Sequence, residues 1–255
     1  MILDNNYMVK QILSPQECSQ VVEAGVKHLQ QAQTFKSSIG ENDTHRNSEV
    51  AWFKDPTFIQ KIAPIISELN NVAGWAYDVD EVENIQFTKY GVNQHYHWHP
   101  DSASDWPNIY KPTKKNDKGI WIQGRYAINP EGTGLKHEAS PDGFFPMVKW
   151  TDDPAPVNVE HDSPTNGWVA DKPWWGKGRT LSMTINLSEP GEYEGGNLEI
   201  KYHNVDGEEE IKVIEEGREQ GSVILFPSYR IHRISPVTRG TRYSMVIWCL
   251  GKPWR

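Results

Sequence analysis

The sequence predicts an α+β domain, a β-sandwich or jelly roll with helices packed outside it. Three observations lead there. Two stretches before residue 80 carry the 3.6-residue hydrophobic period of helices. After residue 80 the pattern changes to that of strands. These strand-like segments are short, numerous and separated by turn residues. A chain of 255 residues is long enough for one such domain with a substantial core, so residues 1–255 are read as one domain.

The elements follow in order. Ser14-Pro15-Gln16-Glu17 is a capping box with proline at the first helical position, and Cys18, Val21, Val22, Val26 and Leu29 fall at helical spacing behind it. The run TFKSSIGENDTHRN reads as loop or irregular strand. Asp55-Pro56 opens a second helix with Phe58, Ile59, Ile62, Ile66 and Leu69 apolar, and Pro64 inside it predicts a kink or a split. ENIQFTKY (83–90), IWIQGRY (120–126), TLSMTINL (180–187), NLEIKYH (197–203), EIKVIE (210–215), SVILF (222–226) and RYSMVIWC (242–249) read as strands. Asn204-Val205-Asp206-Gly207 reads as a hairpin turn between two of them. Residues 102–178 are rich in Pro, Asp, Gly and Lys and hold one convincing strand, yet they carry Trp106, Trp121, Trp150, Trp168, Trp174 and Trp175. A disordered linker does not carry so many, so the segment is read as an ordered insertion.

Composition narrows the function. A net charge of −8 argues against holding a nucleic-acid backbone. Eleven tryptophans predict an aromatic-rich cleft or partner surface in addition to a core. Cys18 and Cys249 form neither a CxxC pair nor a disulfide framework, which fits a reduced, cytoplasmic setting. No secretory signal or membrane-length apolar run is visible.

The chemistry concentrates in QHYHWHPD (94–101). His95, His97, His99 and Asp101 fall at every second position, so in an ideal strand all four share a face. His99-Pro100-Asp101 is an H-x-D pair that can direct one imidazole and one carboxylate to one metal. His28 is polar-flanked on a helix and reads as surface. His161-Asp162 lies in a Pro-rich loop and reads as a decoy. His232, between two apolar strands, is the best third ligand by context. Two imidazoles and one carboxylate leave about three positions open on an octahedral Fe(II), enough for a bidentate co-substrate and dioxygen. Arg242, on the next strand, offers a fixed guanidinium for a co-substrate's far carboxylate.

Several blocks in order, LSPQEC, YGVNQHYHWHPD, RTLSMTINLSEPGEYEGGNLEI and GSVILFPSYRIHRISPVTRGTRYSMVIW, resemble the 2-oxoglutarate/Fe(II)-dependent dioxygenases of the prolyl 4-hydroxylase-like branch, close to the PKHD-type hydroxylases. The resemblance implies a double-stranded β-helix (jelly-roll) core with N-terminal helices outside and a long insertion after the H-x-D strand. It implies His99, Asp101 and His232 as catalytic iron ligands. Arg242 would be the partner of the 2-oxoglutarate C5 carboxylate, and Tyr90, Tyr96 and Asn186 further co-substrate contacts. His95 and His97 become pocket residues. The implied reaction decarboxylates 2-oxoglutarate to succinate and carbon dioxide and hydroxylates an unactivated C–H, first of all on a prolyl side chain of a peptide or protein, with O2 consumed and ascorbate as an accessory reductant. Two other readings stand beside it. One is the same chemistry on a free amino acid or other small molecule. The other is a non-catalytic jelly-roll module that binds a sugar or protein through its tryptophans.

Overall fold

Ser14 caps the first helix as its neighbours predict. In the computed structural model its hydroxyl accepts from the Glu17 amide while the Glu17 carboxylate accepts from the Ser14 amide, and helix α1 runs from Pro15 to Gly25. The structure describes residues 6–32, 45–102, 178–203 and 206–251, with the backbone alone for 2–4, 113–115, 121–123, 133–139 and 146–154. Asp55 caps the second helix, α2 (Pro56–Val72), by accepting from the Phe58 amide at 3.0 Å. The helix is not split at Pro64, as the sequence had allowed. Ile62, Ile66 and Leu69, which surround that proline in sequence, are buried and hold the helix to the sheet beneath.

The chain divides into two compact units, residues 1–107 with 179–255, and residues 108–178. The first is rich in antiparallel strands and has few helices. Its main strands are β1 (Tyr7–Gln11), β2 (Glu49–Phe53), β3 (Ile85–Tyr90), β4 (His95–His99), β5 (Gly178–Asn186), β6 (Leu198–His203), β7 (Glu209–Val213), β8 (Ser222–Pro227), β9 (His232–Ile234) and β10 (Arg242–Gly251). Among the described residues, nine strands form one sheet. Its order is Ile2–Asp4, β1, β8, β5, β10, β3, β2 and Gln30–Gln31, with Glu81–Val82 also pairing with β10. A five-stranded sheet has the order β7, β6, β9, β4 and Arg46–Asn47. β6 and β7 pair antiparallel with His203 opposite Glu209, as the expected hairpin requires. In the second unit, Thr113–Lys115 pairs with Trp121–Gln123 and Thr133–Ala139 pairs with Pro146–Pro154, where the sequence had offered one strand. Of the six tryptophans read there, Trp121 and Trp150 lie on these backbone strands; Trp106, Trp168, Trp174, Trp175 and the His161-Asp162 pair lie outside the described residues.

Alternation sorts the large sheet into two faces. Ile85 and Phe87 of β3, Leu181, Met183 and Ile185 of β5, and Met245, Ile247 and Cys249 of β10 join α1 and α2 in one apolar cluster. Each such side chain, fully buried, contributes about 1.5–3 kcal/mol. The approach is close: a Cβ on Gly25 of α1 would lie 2.6 Å from the Phe87 ring. On the opposite face, Tyr7, Val9, Tyr90, Ile224 and Phe226 meet Leu198, Ile200 and Ile234 of the smaller sheet, so the two sheets share a second apolar cluster. β1 is buried on both faces, Met8 in the first cluster and Tyr7 and Val9 in the second, and so lacks the alternation that would reveal it in the sequence. No helix among the described residues is long and apolar enough to cross a membrane.

Candidate metal centre

The smaller sheet brings the distant histidines together. His232 of β9 lies opposite His99 of β4, and Ile234 opposite Tyr96. Three steps along β4 therefore match two along β9, a β-bulge that shifts the alternation by one residue. The every-second-residue comb read from the sequence does not survive it. Tyr96 and His99, three apart, share a face and stack with ring centroids 3.6 Å apart and planes at 18°. His97 is exposed; its ring stacks on His45 at 5.9 Å and meets His95 edge-on at 5.6 Å.

Asp101 follows immediately beyond β4, held by its amide donating to the Ser228 carbonyl at 2.9 Å. The ligand atoms of His99, Asp101 and His232 all lie within 4.8 Å of one another, the one such group of three among the described residues. His99 Nε2 is 3.7 Å from Asp101 Oδ1, and His232 Nε2 is 3.5 Å from Oδ2. Each imidazole is oriented from behind. His99 Nδ1 lies 2.6 Å from the His97 carbonyl and His232 Nδ1 2.9 Å from the Arg230 carbonyl. In the tautomer where Nδ1–H donates to that carbonyl, the Nε2 lone pair faces the carboxylate. The Asp101 carboxylate accepts from the Ser182 hydroxyl at 2.6 Å, and Ser182 is 2.9 Å from the Ser228 hydroxyl.

The electrostatics suit a cation. Burial, with the neighbouring His232, pushes His99 down to about 3, so its imidazole is neutral at pH 7. Burial alone would raise Asp101, but His232, His99, Arg179 and the Ser182 hydroxyl outweigh it and hold the carboxyl below its usual range. Two imidazole nitrogens and one buried carboxylate form a donor set matched to a divalent metal such as Fe(II). Burial pushes Tyr96 up to about 12, so its phenol keeps its proton. The two cysteines stay outside this chemistry: burial raises Cys18 to about 11 and Cys249 to about 12.

Arg242 is 3% exposed at the start of β10, opposite Tyr90 of β3. One guanidinium nitrogen donates to the Ser244 hydroxyl at 3.2 Å, and its carbon lies 5.8 Å from the Tyr90 ring centroid. Among the described residues no carboxylate pairs with it, and a buried cation of this kind is suited to a ligand anion. The Gly195-Gly196 turn makes room for it. Both residues have positive φ, and a Cβ on Gly196 would come within 3.1 Å of Arg242 Cδ. Asn186 is engaged elsewhere. Its amide nitrogen donates to the Ser188 and Arg218 carbonyls at 2.8 and 2.6 Å, which uses both hydrogens. Tyr90 is buried in the wall shared by the two sheets. Ser182, Ser228 and Arg46 were not anticipated. For Ser182 the signal was present, since Thr180, Ser182, Thr184 and Asn186 alternate with apolar residues along TLSMTINL.

Residues 162–250 match the family model of the 2OG-Fe(II) oxygenase superfamily. A PKHD-type hydroxylase of Synechococcus sp. (strain JA-2-3B'a(2-13)) is 41% identical over 68 residues, 27% of either chain. Another, of Synechococcus sp. (strain CC9902), is 28% identical over 156 residues, 52% of this chain and 67% of that one. Over 162–250, about a third of its length, the chain is similar to the 2OG-Fe(II) oxygenase superfamily. The match to the first of these relatives spans about a quarter of that relative's length, 27%. A crystal structure of a Pseudomonas putida prolyl-4-hydroxylase aligns over 96% of this chain and 92% of its own, at 15% identity and a TM-score of 0.49. The viral collagen prolyl hydroxylase of Paramecium bursaria Chlorella virus-1, with 2-oxoglutarate, aligns over 96% of both chains at 17% identity and a TM-score of 0.48. His232 and Arg242 fall inside the stretch that matches the superfamily model; His99 and Asp101 precede it and reach it through the pairing of β4 with β9.

Proposed function

We propose that the protein is an Fe(II)- and 2-oxoglutarate-dependent dioxygenase that hydroxylates an unactivated C–H, first of all on a prolyl side chain of a peptide or protein. The observation that carries the reading is the buried His99–Asp101–His232 group, with its imidazoles oriented from behind by backbone carbonyls. The two packed sheets are read as a double-stranded β-helix, or jelly roll, with residues 102–178 an insertion within a single domain. Hydroxylation is carried over from relatives named PKHD-type hydroxylases, and the prolyl side chain from the resemblance of the sequence blocks.

In this reading His99, Asp101 and His232 hold the iron. When bound, Fe(II) with 2-oxoglutarate supplies dioxygen activation, so that 2-oxoglutarate, O2 and R–H become succinate, CO2 and R–OH. The residues do the positioning. Arg242 binds the C5 carboxylate through paired N–H donors. Tyr90 forms the wall beneath that guanidinium. The Tyr96 phenol, protonated at neutral pH, is available as a hydrogen-bond donor. The apolar cluster of Leu198, Ile200, Phe226 and Ile234 beside His232 would help to keep water from the site.

The test is turnover by the purified protein with Fe(II), 2-oxoglutarate and ascorbate, against proline-containing peptides and free amino acids in parallel. The expected result is succinate release with a mass gain of one oxygen on a peptide. An oxygen gained only by a free amino acid would replace the substrate class. Succinate at background with every substrate, together with no iron-dependent binding of 2-oxoglutarate, would overturn the reading.

A further inference from the structure

The two imidazoles of the centre are held differently. The His232 ring meets the edge of Phe226 at 4.8 Å, in the apolar wall between the sheets. The His99 ring stacks on Tyr96, and Arg46 also packs over the Tyr96 ring, its guanidinium carbon 4.6 Å from the centroid. Arg46 is itself fixed. Nε donates to the Ser48 hydroxyl at 2.9 Å and Nη2 donates to the Gln86 side-chain carbonyl at 2.6 Å. Gln86 belongs to β3 of the large sheet and also accepts from the buried Thr88 hydroxyl at 3.1 Å. Arg46 pairs with Tyr96 in register at the edge of the smaller sheet. A continuous set of contacts thus runs from the floor of the large sheet, through a guanidinium and a phenol ring, to one face of a metal-binding imidazole.

We propose that Arg46 is a positioning residue for the metal centre, acting through Tyr96 to fix the plane of the His99 ring and placing a fixed positive charge behind it. The proposal rests on the reading of His99 as an iron ligand. Three features separate it from ordinary packing. The bulge in β4 is what puts Tyr96 and His99 on one face, so their overlap follows from a deviation from regular pairing. The guanidinium is held by neutral acceptors, Ser48 and Gln86, so its charge is not cancelled by a carboxylate among the described residues. The His97 carbonyl fixes the same ring at Nδ1, and with one contact in the ring plane and one on its face the imidazole has little freedom left. A fixed cation behind one ligand also disfavours the higher charge of Fe(III), so it stabilises the ferrous form.

Metal affinity and spectroscopy test this without reference to turnover. Co(II) and Fe(II) titrations are run on the wild type, Arg46→Met, Arg46→Lys, Tyr96→Leu and Tyr96→Phe, with the ligand-field bands of the Co(II) form and the rate of Fe(II) autoxidation recorded. Thermal melting of each metal-free protein checks the fold. Arg46→Met and Tyr96→Leu are expected to bind metal about 10–100-fold more weakly, as for other groups that orient a ligand, with shifted Co(II) bands; in Arg46→Met the lost orientation outweighs the charge repulsion relieved with the guanidinium. Arg46→Met should autoxidise faster. Tyr96→Phe keeps the ring and should bind metal as the wild type does, and Arg46→Lys should recover part of the lost affinity and the slow autoxidation. If Arg46→Met does not fold, the contrasts between Arg46→Lys and wild type and between Tyr96→Leu and Tyr96→Phe carry the test. Wild-type affinity, bands and autoxidation in folded Arg46→Met and Tyr96→Leu would overturn the proposal while leaving the iron site standing. A wild type that takes up neither metal would instead overturn the iron reading on which it rests.

Discussion

Along β5, Leu181, Met183 and Ile185 enter the apolar cluster under the helices, while Ser182, Thr184 and Asn186 are buried on the other side. The same split runs through β3, where Ile85 and Phe87 oppose Gln86 and Thr88, and through β10, where Met245 and Ile247 oppose Arg242 and Ser244. Both faces exclude water, but the helix side is filled by apolar side chains, while on the other side buried polar groups stand beside the second apolar cluster. The helix side holds the fold through area removed from water. The polar side holds groups whose burial is unfavourable unless each finds a partner, and in the proposed reading a cation at Asp101 with its imidazoles and an anion at Arg242 add to the partners already there. Stability and chemistry are thus separated by a single strand's alternation, and substitutions on the two sides should have opposite signatures.

The largest contrast is expected at Asp101. Asp101→Ala should abolish Fe(II) or Co(II) binding and bring 2-oxoglutarate turnover to background. Removing a desolvated carboxylate from the metal-free protein should leave its melting temperature within a few degrees of wild type. Metal stoichiometry and calorimetry on the apoprotein check both halves. Stoichiometric, wild-type-like metal content in this variant would show that the three residues are not the centre. On the helix side, Phe87→Ala should do the reverse. It deletes a ring packed against Gly25 at the helix–sheet contact and should cost about 3–5 kcal/mol in denaturant unfolding, with one metal still bound per folded chain. An equal loss of metal affinity would mean that the two faces are not independent.

Arg242 sharpens the comparison from inside the polar face. Arg242→Gln keeps a hydrogen-bonding side chain but removes the charge, and charge-assisted bonds contribute about 1.5–3 kcal/mol. The half-saturating 2-oxoglutarate concentration should therefore rise about 10–100-fold, with Fe(II) affinity in the absence of co-substrate unchanged. The measurement is a 2-oxoglutarate titration by calorimetry on the metal-loaded protein. A shift in iron affinity instead would place the guanidinium in the metal's own surroundings.

How legible each face was in the sequence follows from the same physics. The helix side was read well because capping and period are local signals: Ser14, Pro15, Glu17, Asp55 and Pro56 mark helix starts, and the cluster residues follow at helical spacing. β1 escaped because a strand buried on both faces has no alternation to detect. On the polar side His99, Asp101, His232 and Arg242 stood out as residue types that are rare in apolar strands. What the sequence could not carry is register. The bulge between Tyr96 and His99 is a property of pairing with β9, so the comb of four ligands looked regular until the partner strand was present. Arg46 was hidden for the same reason: it lies in a loop-like run, and its neighbours Gln86, Ser48 and Tyr96 are assembled by pairing between strands. Asn186 is a third case: its face was readable, but the backbone carbonyls that take its amide hydrogens were not.

The smallest effect belongs to the outermost layer of the helix side and depends on pH. Glu17 of the capping box is lowered from 4.5 to about 2, first by its hydrogen bond to Lys61 of α2 and then by the Ser14 amide and hydroxyl. A carboxyl whose folded-state pKa is depressed contributes stability above its unfolded value, and that contribution fades as pH falls from about 4.5 toward 2. Glutamine at this position can still accept from the Ser14 amide, so Glu17→Gln removes the charge while keeping the cap. The pair is largely exposed, which confines the difference to about 0–1 kcal/mol. Denaturant midpoints of wild type and Glu17→Gln should therefore differ slightly at pH 7, converge by pH 2, and draw closer at pH 7 in high salt. Metal affinity should be identical in the two proteins at pH 7, because the charge tying α1 to α2 lies on the far side of the sheet from Asp101. A gap that widened on acidification would mean that the carboxylate opposes the fold, and the assignment of this ion pair to the stabilising face would fail.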